Sequence, residues 1–300
     1  MKRVTITFDY EGSWGMPHNT PYDLAAVTRG LLDVLARHNA RAVFFVTGKL
    51  VEEHPEVIAE IHARGHEIGC HGYLHEHMHE LNATQLKNLT AKLRSTNRRL
   101  EALVGYSPRG FRAPYLMGPK FYDQLVYQAL AKNGFTWVSN REVRRPEELF
   151  RPGRLGHGGG LLKFNWLRKM LTLALNLHLI LTETPERGRW LISSTAWLWR
   201  GQQPFVRPEG LVEYPLYSPL DCDLLGFPPP QIESGSRSVA YTINVLRHCY
   251  DQSGSYFNIN VHDWIIGTAD RLQILDEVLG YIEGQQESQY FLPGLAEETV

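Results

Sequence analysis

The sequence predicts an α/β protein on a parallel sheet, and three observations predict it. Short apolar runs at 4–8, 42–46 and 67–70 alternate with helix-period stretches at 22–38 and 55–64. Residues 42–46 (AVFFV) are apolar without interruption, the mark of a strand buried on both faces. Gly65, Gly105 and Asn133-Gly134 punctuate the helical stretches where each should end. Strand–helix–strand repetition of this kind calls for helical crossovers and parallel strands. The alternation fits an open sheet as well as a closed one.

The elements follow in order. After the first strand, Leu24, Val27, Leu31, Leu32 and Leu35 recur at helical period. Gly48 is read as the end of the second strand. The helix at 55–64 closes at Gly65 and leads to the strand at 67–70. Thr84 is read as the N-cap of a helix running to about 103, which Gly105 closes. A strand starts at 110–112, a helix covers 121–132, and 135–138 is the next strand. The rhythm then breaks over about 141–210, read as an insertion within a single domain of 1–300. That stretch holds a glycine cluster at 156–160, an apolar run at 161–181, and Trp190, Trp197 and Trp199. Strand 211–215, helix 238–250, strand 256–261 and helix 269–283 resume the pattern, and the tail reads as frayed.

Composition removes several function classes. Hydrophobic residues are 43% and charged residues 21% of 300, an ordinary globular balance. The formal net charge of −1 supplies no bulk field for nucleic acid or anionic lipid, so no nucleic-acid partner is expected. Cys70, Cys222 and Cys249 form no CxxC pair and suggest no disulfide framework. Cys70 is either a small buried hydrophobe or, beside His71, an oxidation sensor. Met1-Lys2-Arg3 runs straight into a strand with no apolar targeting region, so a cytoplasmic location is expected. Residues 170–181 give 12 uncharged or histidine positions, short of the ~20 a bilayer crossing needs. The 161–181 run is therefore either a buried helix or an amphipathic helix lying at the inner face of a membrane, led in by Lys163, Arg168 and Lys169.

Four clusters carry possible chemistry. Asp9 and Glu11 follow a buried strand, the end at which parallel α/β folds bind ligands. One of them can act as a general base and the other as a metal ligand, or both can simply cap a turn. His71 and His75 stand four apart, a spacing that on one helical turn points both rings the same way. Two imidazoles and a carboxylate make an open, catalytic type of zinc site, whereas a solvated histidine-rich loop is the plain alternative. His77 and His79 lie just beyond. Arg112, after a strand, can hold a carboxylate ionised. His262 ends the last strand and can give a proton to a leaving amine.

In their order TFDYEG (7–12), HGYLH (71–75), RAPY (112–115) and NVHDW (260–264), these clusters resemble the polysaccharide deacetylase family, carbohydrate esterase family 4. The resemblance covers roughly 4–140 and 210–283 and implies an irregular (β/α)7 barrel. It implies Asp9 as general base, His71 and His75 as metal ligands and Arg112 as the residue orienting the base. It also implies the Tyr115 N–H as oxyanion donor and His262 as general acid. The cofactor implied is one divalent ion, Zn2+ or else Co2+, Ni2+ or Mn2+. The substrate implied is an N-acyl amino sugar, glycan or lipid-linked. Tyr10 stands where most members have the metal-binding Asp, and Glu11 fits the variant with the carboxylate two residues after the base. The usual Asp-containing fourth motif is not evident near Trp137-Val138-Ser139-Asn140, which leaves the partner of His262 open. Two other functions compete: a metal-independent cyclic amidohydrolase of the allantoinase kind, and a non-catalytic sugar-binding protein.

Overall fold

The alternating runs pair into one sheet. The computed structural model describes residues 1–16, 20–78, 81–116, 124–143, 203–217, 220–225, 238–285 and 287–295. Its sheet holds β1 (Lys2–Tyr10), β2 (Ala42–Val46), β3 (Glu67–Cys70), β4 (Gly110–Phe111), β5 (Trp137–Val138), β6 (Phe205–Val206), β7 (Val212–Glu213), β8 (Tyr256–His262) and β9 (Ser288–Tyr290). Seven strands run parallel in the order β8-β1-β2-β3-β4-β5-β7, the arrangement expected of an irregular (β/α)7 barrel. β6 pairs antiparallel with β7 at the edge, and β9 pairs parallel with the start of β1. Among the described residues no ladder joins β6 back to β8, so the curled sheet stays open there.

By compactness the chain divides into Met1–Glu142 with Gln203–Val300, and Val143–Gln202. The apolar run at 161–181, with the membrane contact expected of it, lies outside the described residues, as does most of the insertion. Among the described residues no helix is long and apolar enough to cross a membrane.

Helices connect the strands: α1 (Leu24–Arg37), α2 (Gly48–Glu53), α3 (Pro55–Ala63), α4 (Ala83–Val104), α5 (Gln124–Lys132), α6 (Asp221–Leu225), α7 (Val239–Gln252), α8 (Asp263–Ile266) and α9 (Leu272–Glu283); the period predicts all but α2, α6 and α8. Three local expectations are corrected. Gly48 does not merely end β2; it opens α2, capped by the Thr47 hydroxyl. The N-cap of α4 is Asn82, not Thr84, because Asn82 and Gln85 each accept the other's backbone N–H in a reciprocal capping box. The tail is not frayed at Ser288–Tyr290, where backbone pairing with Lys2–Val4 orders it.

Strand alternation on β1 sets up the site. Val4, Ile6, Phe8 and Tyr10 enter the helix-side core, where Phe8 stacks on Phe44 at 4.5 Å. Each such fully buried side chain stabilises the fold by roughly 1.5–3 kcal/mol. Thr7, Asp9 and Glu11 therefore share the opposite face. The parallel register brings the strand ends level: Asp9 pairs with His262, Tyr10 with Val46, Val46 with Cys70, Cys70 with Phe111 and Phe111 with Val138. One residue beyond these positions stand Glu11, His71, Arg112 and Ser139, all on one rim.

Candidate active site

Tyr10 cannot serve as a ligand. Its side chain is buried in the core, its ring meets Phe44 edge-on, and its hydroxyl bonds Thr28. Glu11, two residues past Asp9, turns back to the rim instead.

His71 and His75 reach Glu11 by a loop rather than a helical turn. The helical spacing inferred from sequence is thereby corrected. His71 extends the β3 ladder through its N–H to the Val46 carbonyl. Gly72 then adopts φ +75, and a Cβ there would come within 2.8 Å of Met78 Cε. His75 is also left-handed, at φ +58, and Glu76 Oε2 accepts the Tyr73 and Leu74 N–H groups to pin the bend. The result places His71 Nε2 3.1 Å and His75 Nε2 2.9 Å from the same atom, Glu11 Oε1.

The tautomer of His71 bears on what belongs between these atoms. Its Nδ1 lies 2.9 Å from the Arg112 carbonyl, which can only accept, so Nδ1 carries the proton. In the neutral ring, Nε2 then turns a lone pair toward a carboxylate oxygen. Such a pairing calls for a second proton or a cation. His75 Nδ1 is buried with no hydrogen-bond partner, and Glu11 is buried as well. Burial opposes the Glu11 charge, yet the two histidines hold its pKa well below the usual carboxylate value. The three donors thus fit a divalent ion. Two other donor groupings, Asp9–Glu11–His262 and Asp221–Cys222–His262, lie within 4.8 Å spacing. There, however, Asp9 and His262 are already engaged with Arg112 and Asp221.

Asp9 sits beside a saturated guanidinium. Arg112 Nη1 donates to Asp9 Oδ1 at 2.7 Å and also to Asn260 Oδ1. Its Nη2 donates to Thr7 Oγ1 and Ser139 Oγ, and its Nε to the Ser139 carbonyl. All five donors of this buried cation are satisfied. Burial works to raise the Asp9 pKa, but Arg112, then His71 and His262, outweigh it and hold the pKa below its usual value. Asn260 Nδ2 donates to Asp9 Oδ2 at 3.1 Å.

His262 Nε2 lies 3.7 Å from Asp9 Oδ2, and its Nδ1 lies 2.7 Å from Asp221 Oδ1. Burial disfavours the imidazolium, yet Asp221, with Glu11 and Asp9 beyond it, pushes its pKa up to about 10. The partner left open by the sequence is thus Asp221, on α6. Ser139 serves Arg112, while Asn140 accepts the Ala113 N–H. Asn260 was legible in principle, because strand alternation puts it on the face of His262; nothing near Asp221 in the sequence signals its role. Tyr115, half-exposed at φ +61, packs edge-on to His75 at 4.5 Å, and Trp14 lies 3.9 Å from the same ring. Cys70 is buried with its thiol pKa pushed up to about 12, mainly by burial, which fits the structural hydrophobe. A cleft of about 790 Å³ opens beside Glu11 and His75, with Trp14, Tyr22, Lys49 and Tyr73 in its wall.

These features place a Glu11–His71–His75 triad and an Asp9–Arg112 pair on the carboxyl-end rim of a curled, parallel α/β sheet. The model of the polysaccharide deacetylase family matches residues 1–138. The chain is 36% identical over 88 residues to a peptidoglycan-N-acetylglucosamine deacetylase of Bacillus cereus, covering 29% of this chain and 31% of that protein. It is 29% identical over 138 residues to a peptidoglycan-N-acetylmuramic acid deacetylase of Bacillus subtilis, covering 43% and 46%. The chain spans less than half the length of these curated relatives. Among solved structures, a putative polysaccharide deacetylase from Mycobacterium smegmatis shares the fold with a TM-score of 0.61 at 19% identity, over 96% of this chain and 86% of the other. A family 4 carbohydrate esterase from Streptomyces lividans superposes with a TM-score of 0.52 at 15% identity, over 97% and 92%.

Proposed function

We propose that the chain is a metal-dependent hydrolase that removes an acetyl or formyl group from the nitrogen of an amino sugar in a glycan or a lipid-linked saccharide. The observation that carries this reading is the convergence of His71 Nε2 and His75 Nε2 on Glu11 Oε1, beside the Asp9–Arg112 pair. Glu11, His71 and His75 are the residues to hold the ion, and their mixed nitrogen and oxygen donors suit Zn2+, with Co2+, Ni2+ and Mn2+ as alternatives. A divalent ion held there supplies Lewis acidity, polarising the acyl carbonyl and easing deprotonation of water.

The chain's own residues divide the remaining work. Asp9, kept ionised by Arg112, takes a proton from the attacking water. Arg112 and Asn260 fix which carboxylate oxygen faces the reaction. The Tyr115 N–H is assigned to the oxyanion, a contribution on the order of 3 kcal/mol. His262, cationic at neutral pH, delivers its Nε2 proton to the departing amine. The half-exposed Trp14 ring, in the wall of the cleft, offers an aromatic surface for a sugar. The relatives named for peptidoglycan deacetylation motivate the substrate class. The lipid-linked form rests on residues 161–181, outside the described residues.

Metal analysis with an activity screen tests the reading. The expected result is about one divalent ion per chain, lost in His71→Ala, with amine released from N-acetyl or N-formyl amino sugars, free or lipid-linked. A chain that binds no ion while cleaving a cyclic ureide would instead be an amidohydrolase of the allantoinase kind. One that binds sugar without turnover would be a lectin-like relative.

A further inference from the structure

The tripeptide His262-Asp263-Trp264 does more than end a strand. His262 closes β8, and Asp263 and Trp264 turn inward as the first residues of α8, both fully or nearly fully buried. The Asp263 carboxylate accepts the Glu11 N–H at 2.8 Å through Oδ1 and the Gly12 N–H at 3.1 Å through Oδ2. The Tyr22 hydroxyl adds a third donor at 2.6 Å. The main chain on both sides of Glu11's carbonyl is thus tied to one carboxylate on a neighbouring strand end. Trp264 takes the other end of the same residue: its Nε1–H donates to Glu11 Oε2 at 2.8 Å. Glu11 Oε2 is the oxygen the histidines do not face; both lie against Oε1. Beyond Glu11 the loop lies flat on the indole, since a Cβ at Gly15 would come within 2.2 Å of Trp264 Cζ2.

A glutamate has one more rotatable bond than an aspartate, and immobilising it costs more side-chain entropy. An N–H placed on the non-facing oxygen, with the backbone anchored separately, removes that freedom before any ion arrives. We infer that Asp263 and Trp264 are positioning residues that lock Glu11, by main chain and by side chain, into the conformation that presents Oε1 between His71 and His75. This rests on the metal-site reading above. It ties the carboxylate side of the site to the strand end that carries His262, so residues 262–264 serve both halves of the chemistry.

Zinc affinity of the metal-stripped chain, measured by calorimetry or chelator competition, tests it. Trp264→Phe keeps the ring packing and removes the N–H; Asp263→Asn keeps the shape and removes the charge. Each is expected to weaken zinc binding roughly 10–100-fold, as loss of outer-shell support does. A role in folding alone would lower the thermal midpoint without that change. A double-mutant cycle adds a readout independent of folding yield: in a Glu11→Ala background, Trp264→Phe should produce no further loss of affinity. Equal zinc affinity in the unaltered, Trp264→Phe and Asp263→Asn chains overturns the inference while leaving the hydrolase reading in place. An undiminished effect of Trp264→Phe in the Glu11→Ala background also overturns it. An unaltered chain that binds none of Zn2+, Co2+, Ni2+ and Mn2+ overturns both.

Discussion

His262 and Asp221, 41 residues apart, are joined twice: Asp221 Oδ1 meets the imidazole Nδ1 and Oδ2 accepts the main-chain N–H, each at 2.7 Å. The carboxylate therefore fixes the ring's rotation as well as its charge, and Nε2 is left facing Asp9.

Asp221→Asn should separate those effects. A general acid works only while protonated, so activity is lost as pH rises through its pKa. The carboxylate is what pushes His262 up to about 10 against the cost of burial. Its removal should move the alkaline limb of the kcat/KM profile to lower pH and reduce the plateau by about 10²-fold. A profile of unchanged shape would show that His262 is not the acid.

Asp9→Asn should cut turnover by at least about 10²-fold while leaving zinc stoichiometry near that of the unaltered chain, because Asp9 is engaged by Arg112 and is not among the three residues proposed to hold the ion. His71→Ala with His75→Ala should lose both activity and metal. Near-normal activity in both variants at matched metal loading would defeat the assignment of roles.

Zinc should stabilise the chain by mass action. At about 100 times its Kd, the expected gain is roughly 2.7 kcal/mol, read as a rise in thermal midpoint of several degrees. The rise should vanish in His71→Ala and on adding a chelator to the unaltered protein.

Glu67, at the start of β3, gives a pH dependence independent of catalysis. Burial pushes its carboxyl up to about 8, against the opposing Gly294 N–H at 3.0 Å. The folded chain thus keeps this proton to higher pH than the unfolded chain, whose glutamate titrates near 4.5. Stability should fall as pH rises between about 4.5 and about 8, and stay lowered above that window. Glu67→Gln should flatten this part of the curve and be the more stable chain at pH ~9, as thermal unfolding at a series of pH values would show.

Gly72→Ala should cost stability, by roughly 1–3 kcal/mol, because φ +75 disfavours any side chain and the added Cβ would crowd Met78. The same substitution shifts His71 relative to His75, so zinc affinity should fall with it. Denaturant unfolding and zinc titration on one preparation would show both.

Much of the fold was legible in the sequence because the strands are short, apolar and punctuated. Period and glycine placement locate β1, β2, β3, α1, α3 and α7 closely. They mislocated the start of α4 because Asn82 and Thr84 are both good caps, and only the reciprocal bond with Gln85 decides between them. They missed α2, since Gly48 at a helix start looks like a strand end. They missed β9, whose order comes from pairing with residues at the other end of the chain.

The candidate site divides in the same way. The sequence alone determined which residue types were available at strand ends: Asp9, Glu11, His71, His75, Arg112 and His262, each next to an apolar run whose period fixes its direction. The tertiary structure decided what they are to one another. It sent Tyr10 into the core, made the His71–His75 spacing a left-handed loop, gave His262 to Asp221, and placed Asp263 and Trp264 on Glu11. The physical reason is range: periodicity and capping act within a few residues, whereas hydrogen bonds between strand ends depend on sheet register, set by the packing of the whole sheet and its helices.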